Sequence, residues 1–273
     1  MSLRYQEQEV DGEQPAQESV PASRSFPLYT LILIASYAVV FCFEIGANLN
    51  PVVELVNAHK DEIPANSSLW ATVLDICFDL SAAAAGFDKK AFLEGHQYWR
   101  ILTGAALHDG FLHILFNSYA FYSFGRLMEM LSNRAHLAIV FLLSAVGGGV
   151  LSLIFKPEGI SVGASGGIVG LIGYLAVYAF IRRDFISAKF RHNLLFNIAF
   201  IIFYGVVLMT NIDNFGHIGG LITGATYALV QVPRDPYTDP RSVSPLTETL
   251  GRLAVGSYGV ICVVAIVLIM RLV

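Results

Sequence analysis

Charge is scarce in this sequence: Asp, Glu, Lys and Arg together make up 14% of the 273 residues, while 55% are hydrophobic. An ordinary soluble domain carries about a quarter of its residues as charges, so that class is excluded. Cysteine is scarcer still. Cys42, Cys77 and Cys262 stand far apart with no C-x-x-C pair, which argues against a disulfide framework or a cysteine zinc site. H-E-x-x-H is absent too, so zinc proteolysis is disfavoured, and no metal or other cofactor is expected. With a net charge of −4 and no basic stripe interleaved with aromatics, nucleic acid is not an expected partner. No internal repeat of useful length is visible.

What the sequence does have is long apolar runs. A helix crossing a bilayer needs about 17–25 mostly apolar residues, because its backbone polar groups must be satisfied within the segment. Seven runs qualify: 28–46, 111–131, 135–155, 165–181, 194–210, 215–232 and 253–273. The expected fold class is therefore all-α, a polytopic membrane helix bundle with seven transmembrane helices and the lipid bilayer as its first partner. The mildly apolar stretch 69–86 carries Asp75 and Asp79 and reads as an interfacial element of a long first outer loop, 47–107. Residues 1–27 read as a disordered, polar cytoplasmic tail with no cleavable leader. Residues 28–232 form a six-helix core, and 233–273 a cytoplasmic linker and a seventh helix. Placing the N-terminus in the cytoplasm puts eleven Lys and Arg residues inside and six outside, the sense of the positive-inside rule, with the C-terminus outside.

Polar groups inside such runs are costly and often mark function. His113, Asn117, Ser165 and His217 lie at depth, with Glu129 near an inner end and His108 at a boundary. The second, fourth and sixth runs cross in the same direction. His113, Asn117, Ser165 and His217 all fall early in those runs, so they converge at one face. From Ser165 to Ile181 is about 25 Å of helix at ~1.5 Å per residue, against a hydrocarbon core of about 30 Å. Ser165 thus starts its helix below the surface, level with His217. Gly166 and Gly170 on the fourth run, and Gly216, Gly220 and Gly224 on the sixth, are the small-residue faces that let helix backbones approach closely. Taken singly, a serine in a glycine-rich helix is packing glue, a buried histidine is a satisfied core group, and His113 with Asn117 at i and i+4 is an interhelical clamp. Four such groups at one depth on three parallel helices are not independent accidents.

These residues resemble the rhomboid family of intramembrane serine proteases. "GASG" at 163–166 is similar to the family's nucleophile motif, which makes Ser165 the nucleophile and Gly163 and Gly166 its neighbours. "GHIGGLITG" at 216–224 resembles the histidine motif and makes His217 the base. "HDGFLHILFN" at 108–117 resembles the second-helix signature, whose His113 and Asn117 would bind the oxyanion together with the Ser165 N–H. "YWR" resembles the first-loop motif with Trp99 and Arg100, and Glu129, four after Gly125, fits G-x-x-x-E. The seventh run resembles the six-plus-one subclass. One position departs: four after the nucleophile the family often has an aromatic that packs on the histidine, and here stands Val169.

The resemblance implies peptide hydrolysis in or near transmembrane segments of other membrane proteins. A serine hydroxyl needs a base, and imidazole suits that task near neutral pH. No acid sits at the depth of His217, since Asp213 falls in the outer loop, so a dyad is expected rather than a triad. Access for a substrate helix would pass the fifth run and the 211–214 loop, while Phe196, Phe200 and Phe203 read as lipid-facing. A catalytically silent relative that binds membrane helices is the alternative, with retention of both Ser165 and His217 against it. A transporter would need charged or broken-helix sites near the midplane, which are missing. An aspartyl intramembrane protease would need an aspartate pair at depth, and none is evident. A bacterial cell membrane is favoured over one of the secretory pathway.

Overall fold

The computed structural model describes residues 26–64, 66–203 and 212–271. Among them the chain begins with α1 (Leu28–Gly46), α2 (Leu49–Ala58) and α3 (Leu69–Ala85). Strand β1 (Phe87–Asp88), α4 (Lys89–Leu93) and α5 (Arg100–Thr103) follow. Then come α6 (Phe111–Leu131), α7 (Arg134–Phe155), β2 (Ile160–Ser161) and α8 (Ser165–Ile181). The last elements are α9 (Ala188–Phe203), α10 (Asn214–Gln231) and α11 (Pro245–Met270). The all-α membrane bundle expected from composition is what forms. By length and composition, Leu28–Ala58, Arg134–Phe155 and Pro245–Met270 are each sufficient to cross a membrane, and Ser165–Ile181 is apolar but shorter.

At the centre stands α8. Its residues from Gly167 to Leu175 are buried without a break, as befits a helix that is apolar all round. Helices α6, α7, α9 and α10 pack against it, and α1 and α11 close the far side of α7. Outward faces carry large apolar side chains such as Leu112, Phe116, Ile154, Val230 and Val263, the surface a lipid solvent requires. The contact between α8 and α10 is backbone against backbone. A Cβ at Gly220 would overlap the Gly166 carbonyl, and one at Gly224 the Gly170 carbonyl. Helix α7 joins the same contact, because a Cβ at Gly148 would stand 2.5 Å from the Gly216 carbonyl and one at Gly219 2.5 Å from that of Gly147.

Helix starts are satisfied by short polar side chains. Asn133 accepts from Ala135 N at 2.8 Å, Asp213 from Gly216 N at 2.9 Å and Ser244 from Thr247 N at 3.1 Å. Helix α1 lacks a cap of its own. Glu129 on α6 supplies it, accepting from Thr30 N at 2.8 Å and Thr30 Oγ1 at 2.7 Å. Gly125, one turn earlier, leaves room for Thr30, since a Cβ there would lie 2.7 Å from Thr30 Oγ1. The G-x-x-x-E spacing is therefore a helix-to-helix clamp.

Two helix starts, and the content of one loop, differ from what the apolar pattern predicts. Helix α11 starts eight residues before 253, where Pro245 at its first position and the Ser244 cap set the start while hydropathy is still low. Helix α9 starts at Ala188 rather than 194, through a polar first turn, and residues 204–210 of the expected fifth run lie outside the described residues. The long 47–107 loop is more built than predicted. Its α3 matches the expected 69–86 element, and α2 pairs with it around Val52, Val56, Val73 and Cys77. The rest of that loop is tied back to the end of α3 by Arg100, which donates to Gly86 O at 2.8 Å, Ala83 O at 3.1 Å and Gln97 Oε1 at 2.6 Å.

Candidate active site

Helices α6, α8 and α10 begin at the same end of the bundle, and their first turns carry the polar residues. Ser165 is the first residue of α8 and His217 lies in the first turn of α10. His217 Nε2 and Ser165 Oγ are 2.8 Å apart, a hydrogen bond across the glycine contact. An imidazole ready to take a proton accepts from Ser165 Oγ–H at Nε2 and carries its own proton on Nδ1. That Nδ1 is buried and has no partner among the described residues. Asp213 directs its carboxylate elsewhere, so no acid orients the ring. Val169 is buried in α8, and the Ser165–His217 contact forms without an aromatic at that position.

His113 and Asn117 occupy the first two turns of α6. Gly163, with φ of +121°, turns the chain toward Ser165 in a conformation that L side chains rarely adopt. A Cβ on it would lie 2.7 Å from His113 Nε2 and 3.7 Å from Asn117 Nδ2, so both nitrogens face the turn before Ser165. Asn117 Nδ2 is buried and unpartnered. The other ring nitrogen of His113 contacts the Asp109 carboxylate. That hydrogen bond is the main reason Asp109 is held below the ordinary carboxylate range. A partly open cavity of about 60 Å³, room for a few waters, is lined by Ser165, His217, Gly163, Gly166, Gly216 and Ala145 among others.

The remaining motif residues support this end or its opposite. Trp99 is exposed, whereas Arg100 beside it is buried and clamps the loop. Gly166, Gly170, Gly216, Gly220 and Gly224 all sit at the α7–α8–α10 contact, while Glu129 works at the far end, on α1. Phe196, Phe200 and Phe203 are exposed on α9.

Glu44, His136 and Lys89 went unread in the sequence, and His108 was read only as lying at a boundary. Glu44, a lone carboxylate in the first apolar run, is buried and accepts from His108 N at 3.0 and 3.2 Å. His108 is fully buried with neither ring nitrogen partnered; burial, with His113 second, lowers its pKa to about 3 and keeps it neutral. His136, at the start of α7, meets the Tyr227 hydroxyl at 2.9 Å and belongs to the other end. Lys89 is fully buried, which no local pattern announces. Among the described residues no cluster of three or more His, Cys, Asp or Glu side chains can hold a metal ion.

The fold and the serine–imidazole contact define the class first: a helical membrane protein that keeps a hydroxyl and an imidazole together at one end of its bundle. The Rhomboid domain family matches residues 95–234, about half of the sequence, and the chain belongs to that family. RHOMBOID-like protein 6, mitochondrial, of Arabidopsis thaliana is 31% identical over 159 residues, 58% of this chain and 52% of its own. Rhomboid protease GluP of Bacillus subtilis (strain 168) is 33% identical over 141 residues, 52% of this chain and 27% of its own. Inactive RHOMBOID-like protein 8 of Arabidopsis thaliana is 28% identical over 138 residues, 50% of this chain and 39% of its own. The matched stretch spans about half, or less, of each of these relatives.

Proposed function

We propose that this chain is an intramembrane serine endopeptidase acting on transmembrane segments of other membrane proteins. The observation that carries the reading is the 2.8 Å hydrogen bond between His217 Nε2 and Ser165 Oγ beside an open cavity. Ser165 attacks the scissile carbonyl carbon while His217 takes its proton, then returns that proton to the leaving amine. Water, activated by the same imidazole, releases the acyl group from Ser165. The negative oxygen formed in each attack is met by His113, Asn117 and the Ser165 N–H, with the start of α8 adding a favourable dipole. The contact of the other His113 ring nitrogen with Asp109 holds the ring facing that oxygen. The substrate segment must be unwound at the cleavage point, because a regular helix hides its carbonyls in hydrogen bonds.

In this reading residues 28–232 form a six-helix catalytic core, 233–273 add a linker and a seventh crossing, and residues 1–27 are a cytoplasmic tail. Ser165 and His217 then face the non-cytoplasmic side, in a bacterial cell membrane. Substrates reach the site past α9. The relative named inactive makes a silent, helix-binding protein the reading to exclude. A fluorophosphonate probe does so: Ser165 displaces fluoride from phosphorus, and a covalent adduct remains. Wild type should label at Ser165, with Ser165→Ala unlabelled and His217→Ala slower by about 10³-fold or more. Equal labelling of all three would sink the assignment.

A further inference from the structure

The half-buried carboxylate of Asp213 holds four parts of the fold at once. Its Oδ2 accepts from Ser152 Oγ at 2.5 Å, near the end of α7, and from Ser161 Oγ at 2.6 Å, on β2. Its Oδ1 accepts from Gly216 N at 2.9 Å, capping α10. Lys89 Nζ, fully buried at the start of α4, stands 3.7 Å from Oδ2 and donates to Ser161 Oγ at 2.5 Å. The two short strands reinforce the same joint, with Phe87 opposite Ser161 and Asp88 opposite Ile160. Ser161 lies four residues before Ser165, and Asp213 four before His217, whose N–H donates to Asp213 O at 3.1 Å. One ion pair therefore fixes both the chain leading into the nucleophile and the turn that carries the base.

We propose that Asp213 and Lys89 are positioning residues that set the Ser165–His217 distance, a role that rests on the endopeptidase reading above. With no acid on His217 Nδ1, the ring's place is determined by its helix, and the helix is anchored at Asp213. A displacement of about 1 Å at such a pair can cost on the order of 10²-fold in rate. Charge also enters. Burial alone would raise the Asp213 carboxyl, yet hydrogen bonds from Ser152, Ser161 and Gly216 N, with the Lys89 charge, hold it below the ordinary carboxylate range. Burial lowers the Lys89 ammonium below its ordinary pKa, opposed by Asp213 and Asp88 and aided by Lys156, the charged groups that face it. As pH rises through that lowered value, Lys89 loses its proton, Asp213 is left without its counter-charge, and the joint loosens. The site therefore has an alkaline limit that His217 does not set.

The test uses the full chain in liposomes and measures fluorophosphonate labelling at Ser165 and cleavage of a transmembrane peptide. Asp213→Asn and Lys89→Met should each slow labelling by about 10²-fold, through kcat with KM nearly unchanged. The double variant should be no slower than the worse single one, because removing both partners leaves no buried charge unpaired. In wild type the rate should fall at alkaline pH, and Lys89→Arg, which stays charged, should carry that limb upward. Wild type that labels while Asp213→Asn labels as fast, or an alkaline limb that Lys89→Arg leaves in place, overturns the positioning role alone. Wild type that takes no label at Ser165 removes the endopeptidase reading and this role with it.

Discussion

Single residues at the site act through geometry that one added carbon would disturb. Gly163→Ala would force a side chain into left-handed backbone and against His113 Nε2, so labelling of Ser165 should fall while the bundle stays folded, as read by circular dichroism. In the proposed reaction Asn117→Ala removes an oxyanion donor, so kcat for a cleaved peptide should drop by about 10²-fold with little change in KM. His108 offers a pH test of stability. Its folded pKa of about 3 lies below that of an exposed histidine, so the unfolded chain binds more protons below about pH 6.5 and stability falls as pH drops toward 3. Thermal unfolding in detergent should follow that slope, and His108→Gln should flatten it. Ser165, His217, His113 and Asn117 were legible because each is a polar group in an apolar run and their runs share a direction. Lys89 was not, because it lies in a polar loop and only the folded chain shows it buried against Asp213.

Elements hold the site by contacts between backbones more than between side chains. The glycines of α8 and α10 were readable as a spacing of four, but the share of α7 was not. The Gly147–Gly149 triplet there has no helical period, and its partners Gly216 and Gly219 lie far along the chain. Gly220→Val would push α10 off the Gly166 carbonyl, costing about 1–3 kcal/mol as overpacking, with loss of the Ser165–His217 contact. Thermal unfolding with parallel labelling at Ser165 measures both effects. Element ends were the least legible feature. Caps and clamps decide them, and the cap of α1 comes from Glu129, 99 positions away from Thr30.

At the scale of the whole molecule, α11 is part of the core. Tyr258, Cys262, Ala265 and Ile269 pack in the main apolar cluster, Tyr258 donates to Ala105 O at 3.1 Å, and Gly251 rests on Ala135. Tyr258→Phe should lower the unfolding midpoint modestly, by about 1 kcal/mol of stability, whereas a chain cut before Pro245 should fail to retain its fold in detergent. The bare meeting of α8 with α10 has a further result. Where two rods touch with nothing projecting from either, there is no residue to exchange for a larger or a more polar one. Under the endopeptidase reading, a new preference for what is cleaved would therefore arise on the rims, in α6, α9 and the first loop, while the joint beneath them stays the same through every such change.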